Sequence, residues 1–233
     1  MSSSPKKTEA IVVMGRVPKP GKVKTRLTSK WSKEEAALLY EAFVKDVARL
    51  VDQAAQQRTV VGKYFCCVWE SQHEERLARA LIPSDWIVFQ QTTGGLGERI
   101  EHARRFTESK YVLVLGSDSP AMKPQRITSA LDALVSRSAD VVIGPVEDGG
   151  YDLIGFSGSK PAVLDAISWS TDQVLSQTRQ RAFDAGYTIE ELDLSFDIDF
   201  PDDLERTLQM HENNDDICPH TARTAAKLKA NKS

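Results

Sequence analysis

The sequence predicts an α/β protein, a three-layer αβα sandwich around a mixed, mainly parallel sheet. Three observations carry this. Apolar runs of strand length alternate with stretches of helical periodicity along the chain. Several runs, such as Val141-Val142-Ile143, are apolar at every position, as strands buried on both faces are. Carboxylates follow strand-like segments at Asp118 and again at Asp197 and Asp199, and open α/β sheets gather their ligands beyond strand C-termini.

The elements follow in order. Residues 10–14 read as a buried strand ending at Gly15, followed by a basic loop. Ser32 with Glu35 makes a capping-box signal, and Ala36, Leu39, Phe43, Val47, Leu50 and Ala54 keep helical spacing behind it, so a long amphipathic helix is expected. A strand near 60–69, a helix near 72–81 and a short strand at 86–89 come next. The loop 91–97 opens a helix running to about 107, and the run 111–115 is a strand closed by a turn at Pro120. Pro124 fits the first turn of a helix over 124–136. Strands at 141–143 and 151–156, helices near 160–167 and 172–185, a last strand near 187–194 and a helix starting at Pro201 complete the pattern. One domain is expected over 8–212, with 213–233 as a polar, frayed C-terminal tail.

With 233 residues the chain is long enough to bury a substantial core. A net charge of -3 with 27% charged residues gives no reason to expect nucleic acid or an anionic membrane as partner. The longest apolar runs fall far short of the roughly 20 residues of a membrane span, and the N-terminus carries no hydrophobic leader pattern, so a cytoplasmic location is expected, as monomer or homodimer. Cys66 and Cys67 are adjacent in an apolar run and point to opposite faces of a strand, and Cys218 lies in the polar tail, so all three read as ordinary thiols. His73, His102, His211 and His220 show no ligand spacing and read as surface residues.

The loop from Gly15 to Arg26 holds five cations in twelve residues. It is not a P-loop, because its glycines have one residue too many between them and Val23 stands where Ser or Thr would follow the lysine. A glycine-flanked strand-to-helix loop can still surround a polyphosphate with backbone amides and with Arg16, Lys22, Lys24 and Arg26. Gly94-Gly95-Leu96-Gly97 fails the dinucleotide fingerprint at Ile100, and leaves open either close approach of a flat ligand or phosphate to Gly95 and Gly97, or a plain tight turn. Asp118, beside Ser117, suits a hard divalent cation, Mg2+ or Mn2+, that binds through one or two carboxylates plus substrate phosphates. Asp197 and Asp199 share a face if extended, and either completes such a site, whereas Asp202 and Asp203 read as helix-start residues. Glu147, Asp148, Gly149, Gly150 and Tyr151 combine carboxylates with a glycine turn that reads either as an acceptor-binding segment or as a hairpin.

These segments, taken in order, resemble one bacterial family. The PxPGxVKTRL-type loop at 18–27, GxLGER at 94–99, GSDxP at 116–120, GPxEDGGYxLIG at 144–155, WST at 169–171 and a DxDxPxDL ending at 197–204 are similar to the selenodomain-associated transferases, over residues 10 to about 208. Arg16 and Val17 depart from the leading loop, Phe200 stands where threonine is usual, and the segment after 212 lies outside the likeness. The resemblance implies a nucleotide-diphospho-sugar transferase fold (GT-A, Rossmann-like), shared with molybdenum cofactor guanylyltransferase, phospholactate guanylyltransferase and sugar-phosphate nucleotidylyltransferases. It also implies that Lys22, Lys24 and Arg26 hold phosphates while Asp118 and Asp199 hold Mg2+. Catalysis is then expected from Lys24, Arg26 and Asp118.

Two chemistries compete on this reading. A nucleotidylyltransferase would take a nucleoside triphosphate and a phosphorylated small-molecule acceptor and release pyrophosphate. A glycosyltransferase would take a nucleotide sugar and release a nucleoside diphosphate, with Glu147 or Asp148 as base. The density of cations in the loop favours the first, since a triphosphate needs more positive charge. A non-catalytic nucleotide-binding module is the third reading.

Overall fold

The apolar run at 10–14 becomes the middle of the sheet. A computed structural model describes residues 7–58 and 61–232. Its strands are β1 (Glu9–Arg16), β2 (Val61–Val68), β3 (Ile87–Gln90), β4 (Tyr111–Leu115), β5 (Val141–Pro145), β6 (Tyr151–Ser157) and β7 (Ile189–Glu191), in the order β3-β2-β1-β4-β6-β5-β7. Neighbours run parallel, except that β6 is antiparallel to β4 and to β5. Val60, expected to begin the second strand, lies outside the described residues.

Helices α1 (Lys33–Gln56) and α4 (Pro124–Val135) cover one face with α7 (Pro219–Ala230), while α3 (Leu96–Phe106) and α5 (Val174–Asp184) cover the other; α2 (Gln72–Ala80) and α6 (Pro201–Asn213) complete the set. The larger core lies on the α1 side, where Phe43, Leu39, Phe65 and Leu113 are fully buried. The expected capping box forms at the start of α1: Glu35 N–H donates to the Ser32 hydroxyl at 3.1 Å, and Ser32 N–H to the Glu35 carboxylate at 2.7 Å.

Register places the site. Val13 pairs with Leu115, so β1 and β4 end side by side, and the loop after Arg16 emerges next to the turn at Gly116 to Asp118. The acidic segment is tied to the same point by Ile198, which is fully buried and donates its N–H to the Asp118 carbonyl at 2.9 Å. Anchoring that isoleucine leaves its flanking residues, Asp197 and Asp199, in the crevice beside Asp118.

Several expectations change in detail. The helix expected at 160–167 is only a short 3-10 turn at Pro161–Leu164, and the strand expected at 187–194 shrinks to Ile189–Glu191, which runs at the sheet edge. The segment expected to fray after 213 instead forms α7, packed on α1 with Ala225 and Leu228 buried. Its start is capped by a residue far away in sequence: Asp46 of α1 accepts from His220 N–H at 3.0 Å, Thr221 N–H at 2.8 Å and the Thr221 hydroxyl at 2.7 Å. Asp46 is 1% exposed, and its removal strands buried donors. Asp46→Ala is expected to cost about 2–3 kcal/mol of stability in urea unfolding and to lose amide protection across α7. A loss under about 0.5 kcal/mol, the scale of an ordinary surface change, would show that other contacts hold the helix.

Candidate active site

A crevice of about 760 Å³ opens at the C-terminal ends of β1 and β4. The basic loop forms one wall. Val17, Val23 and Leu27 are buried beneath it and fix its path, so the valine that breaks the P-loop pattern serves as a core anchor. Lys24 takes a left-handed backbone, φ 42° and ψ 46°, a conformation side chains adopt at a cost. Its side chain is turned inward and only 8% exposed, with Nζ donating to Asp118 Oδ2 at 2.9 Å and Asp199 Oδ1 at 2.9 Å. Arg26 Nη1 holds the other Asp199 oxygen at 2.5 Å, and its guanidinium lies 5.2 Å over the Phe200 ring. Lys19 leaves the crevice and pairs with Glu70 and Glu74.

Charge in the crevice is concentrated and unevenly matched. Burial alone would lower the Lys24 pKa, but the charges and hydrogen bonds of Asp118 and Asp199 more than offset it and hold the ammonium well above the usual lysine range. Asp199 is shifted down despite its burial, because Lys24 and Arg26 flank it. Asp197 goes the other way: burial first, then the nearby Asp118 charge, push it up to about 7. One carboxylate oxygen from each of Asp118, Asp197 and Asp199 lies within 4.8 Å of the others, which suits the hard divalent cation expected for these residues.

The floor is polar and ordered. Tyr40 of α1 meets the Ser117 hydroxyl at 2.8 Å and accepts from Arg16 N–H at 3.0 Å, and burial pushes its phenol up to about 12. The Gln91 side-chain amide donates to the Gly15 carbonyl at 3.0 Å and the Cys66 carbonyl at 2.9 Å, which turns its own oxygen away from those carbonyls. Arg99 and Leu96 of α3 and Ser170 line the opposite wall, with Arg99 Nε held by the Gly94 carbonyl at 2.9 Å. Tyr40, Gln91, Arg99 and Ser170 were not among the site residues read from the sequence. Tyr40 carried a signal, a hydroxyl-bearing side chain on the apolar stripe of α1.

Other expected site residues are placed differently. Gly95 N–H is taken by the Glu98 carboxylate at 2.8 Å in the first turn of α3. Gly97 permits close packing, since a Cβ there would lie 2.9 Å from the Leu164 carbonyl and 3.0 Å from the Trp169 ring. Glu147 is held in a two-pronged ion pair by Arg206, both contacts 2.9 Å, rather than turned into the crevice. Asp148 accepts from Gly150 N–H at 2.9 Å and closes the turn, and Gly149, φ 87°, passes so near Asp172 that a Cβ would meet its carbonyl at 2.4 Å. Of that segment, Tyr151 lines the crevice, its ring edge-on to Trp169 at 6.4 Å. Asp203 accepts from Asp199 N–H and Phe200 N–H and starts α6, as expected. Cys66, Cys67 and Cys218 are buried free thiols, with pKa values pushed up to about 12 by burial.

This architecture is found in other proteins. A protein of Desulfovibrio desulfuricans G20, taken to be a nucleotide-diphospho-sugar transferase, shares 29% identity over 95% of this chain and 95% of its own, with a TM-score of 0.84. A CMP:2-keto-3-deoxy-manno-octonic acid synthetase complexed with CTP shares the fold at 12% identity, covering 88% of this chain and 99% of that one, TM-score 0.54. The 4-diphosphocytidyl-2C-methyl-D-erythritol synthase of Anaerococcus prevotii DSM 20548 does so at 11% identity, over 87% and 96%, TM-score 0.51. No curated protein matches the chain. The sheet, its helices and these likenesses make the fold that of the nucleotide-diphospho-sugar transferases. Residues 50–171, just over half of the chain, match the family described as uncharacterized proteins conserved in bacteria (DUF2064), and the chain belongs to that family.

Proposed function

We propose that the protein is a metal-dependent transferase acting on a nucleotide donor, and specifically a nucleotidylyltransferase. The observation that carries this reading is the cation surplus in one crevice. Arg16, Lys22, Lys24, Arg26 and Arg99 line it together with the carboxylates Asp118, Asp197 and Asp199. Lys24 and Arg26 are engaged by those carboxylates, whereas Arg16, Lys22 and Arg99 have no carboxylate partner among the described residues. A triphosphate, together with a phosphate on the acceptor, supplies the missing negative charge.

In this mechanism an acceptor phosphate oxygen attacks the donor α-phosphorus, the bond from that phosphorus to the bridging oxygen breaks, and pyrophosphate leaves. Lys22 and Arg26 neutralise the departing charge, and Arg99, on the facing wall, orients the acceptor phosphate. Asp118, Asp197 and Asp199 would hold Mg2+ or Mn2+, which when bound supplies charge neutralisation at the phosphates. No protein nucleophile is required. Gln91, with its amide nitrogen committed to two backbone carbonyls, offers an oxygen acceptor to a base N–H.

The test is a panel of nucleoside triphosphates and nucleotide sugars with Mg2+, followed by binding and product analysis. A triphosphate is expected to bind best and to yield pyrophosphate once a phosphorylated acceptor is supplied. The second reading, glycosyl transfer, is favoured by the Desulfovibrio protein's description and by the aromatic pair Tyr151 and Trp169, which could face a sugar. Nucleoside diphosphate released from a nucleotide sugar, without pyrophosphate, would select it.

A further inference from the structure

Lys24 holds two of the three carboxylates that a divalent cation would need. Its ammonium bridges Asp118 and Asp199 at 2.9 Å to each, and these are two of the three carboxylates whose oxygens converge within 4.8 Å. The third, Asp197, has no cation within ion-pair distance among the described residues. The lysine is therefore not a phosphate ligand waiting in solvent. An ammonium and a divalent ion drawn to the same carboxylates repel each other strongly at such separations. Arg26, by contrast, is 61% exposed and reaches Asp199 alone, through the oxygen that Lys24 does not hold.

Resting on the metal–nucleotide reading above, we infer that Lys24 is a built-in competitor for the metal, which exchanges carboxylates for donor phosphate as metal and nucleotide arrive. The flexible stem allows the move, while buried Val23 and Leu27 on either side keep the backbone in place. Metal alone then binds weakly, because it must expel the ammonium. Metal with nucleotide binds well, because the expelled ammonium gains a phosphate. The two ligands therefore favour each other, and linkage makes the effect equal in both directions.

The experiment measures Mn2+ binding to the full-length chain by electron paramagnetic resonance, without nucleotide. Lys24→Met is expected to bind Mn2+ tighter than the wild type by about tenfold or more, and to lose most of the mutual enhancement between Mn2+ and nucleotide. A second measurement needs no variant: reductive methylation of Lys24, read by mass spectrometry, is expected to be slow in the protein alone and faster with saturating Mn2+. If Lys24→Met binds Mn2+ no tighter while Asp118→Asn abolishes binding, the competitor role is overturned and the metal site stands. Methylation of Lys24 that ignores Mn2+ overturns the role as well. Absence of Mn2+ binding in every variant, with or without nucleotide, removes the metal reading and this inference together.

Discussion

Asp118→Asn is expected to lower turnover by about 10²- to 10³-fold, the scale of weakening one preorganised electrostatic interaction at a developing phosphate charge, here that of the cation Asp118 would help to hold. It should leave the fold intact. The side chain is 33% exposed, and the strut that ties the acidic segment to β4 uses the Asp118 backbone carbonyl, to which Ile198 N–H donates at 2.9 Å. Asparagine keeps that carbonyl and keeps an oxygen toward Lys24. What it loses is half of the charge facing the ammonium and one anionic ligand of the carboxylate cluster. Metal-dependent nucleotide affinity should therefore fall while the melting temperature moves little. Calorimetry that finds the metal dependence unchanged in this variant would take Asp118 out of the metal site.

The parts legible in the sequence were those set by local pattern. Residues 111–115 are apolar throughout and buried at every position, and Asp118 just beyond them lies in the crevice because strand ends are where a parallel sheet opens. Asp197 and Asp199 were legible as a pair from their spacing, and the reason both reach the site is the buried isoleucine between them. Contacts that join distant segments were not legible. Glu147 looked available for an acceptor until the fold brought Arg206, 59 residues on, against it. The C-terminal segment looked like a tail because its composition is polar, yet Thr221, Ala225 and Leu228 form a buried stripe once Asp46, 175 residues away, caps the helix. Tyr40 was hidden by its neighbours, since a tyrosine on an apolar stripe reads as core until its hydroxyl is seen against Ser117.

Arg26→Ala is expected to weaken triphosphate binding by about 1.5–3 kcal/mol, the worth of a charge-assisted contact, which is roughly ten- to hundredfold in affinity. The stability loss should be small, because the side chain is 61% exposed and an exposed ion pair contributes about 0–1 kcal/mol. The same variant separates the two chemistries. In nucleotidylyl transfer the leaving group is pyrophosphate, and on the proposed reading the exposed guanidinium beside Asp199 would take the end of a long phosphate chain. In glycosyl transfer the donor carries two phosphates and its sugar extends toward Tyr151, so less of its charge reaches Arg26. Wild-type protein with Mg2+ should therefore bind a triphosphate more tightly than the matching nucleotide sugar, and Arg26→Ala should narrow that gap by weakening the triphosphate more. If both donors weaken equally, Arg26 contacts the phosphates they share and carries no information about the reaction. If the nucleotide sugar binds better in the wild type and only nucleoside diphosphate is released, the protein is a glycosyltransferase, with the fold and the three-carboxylate cluster unchanged.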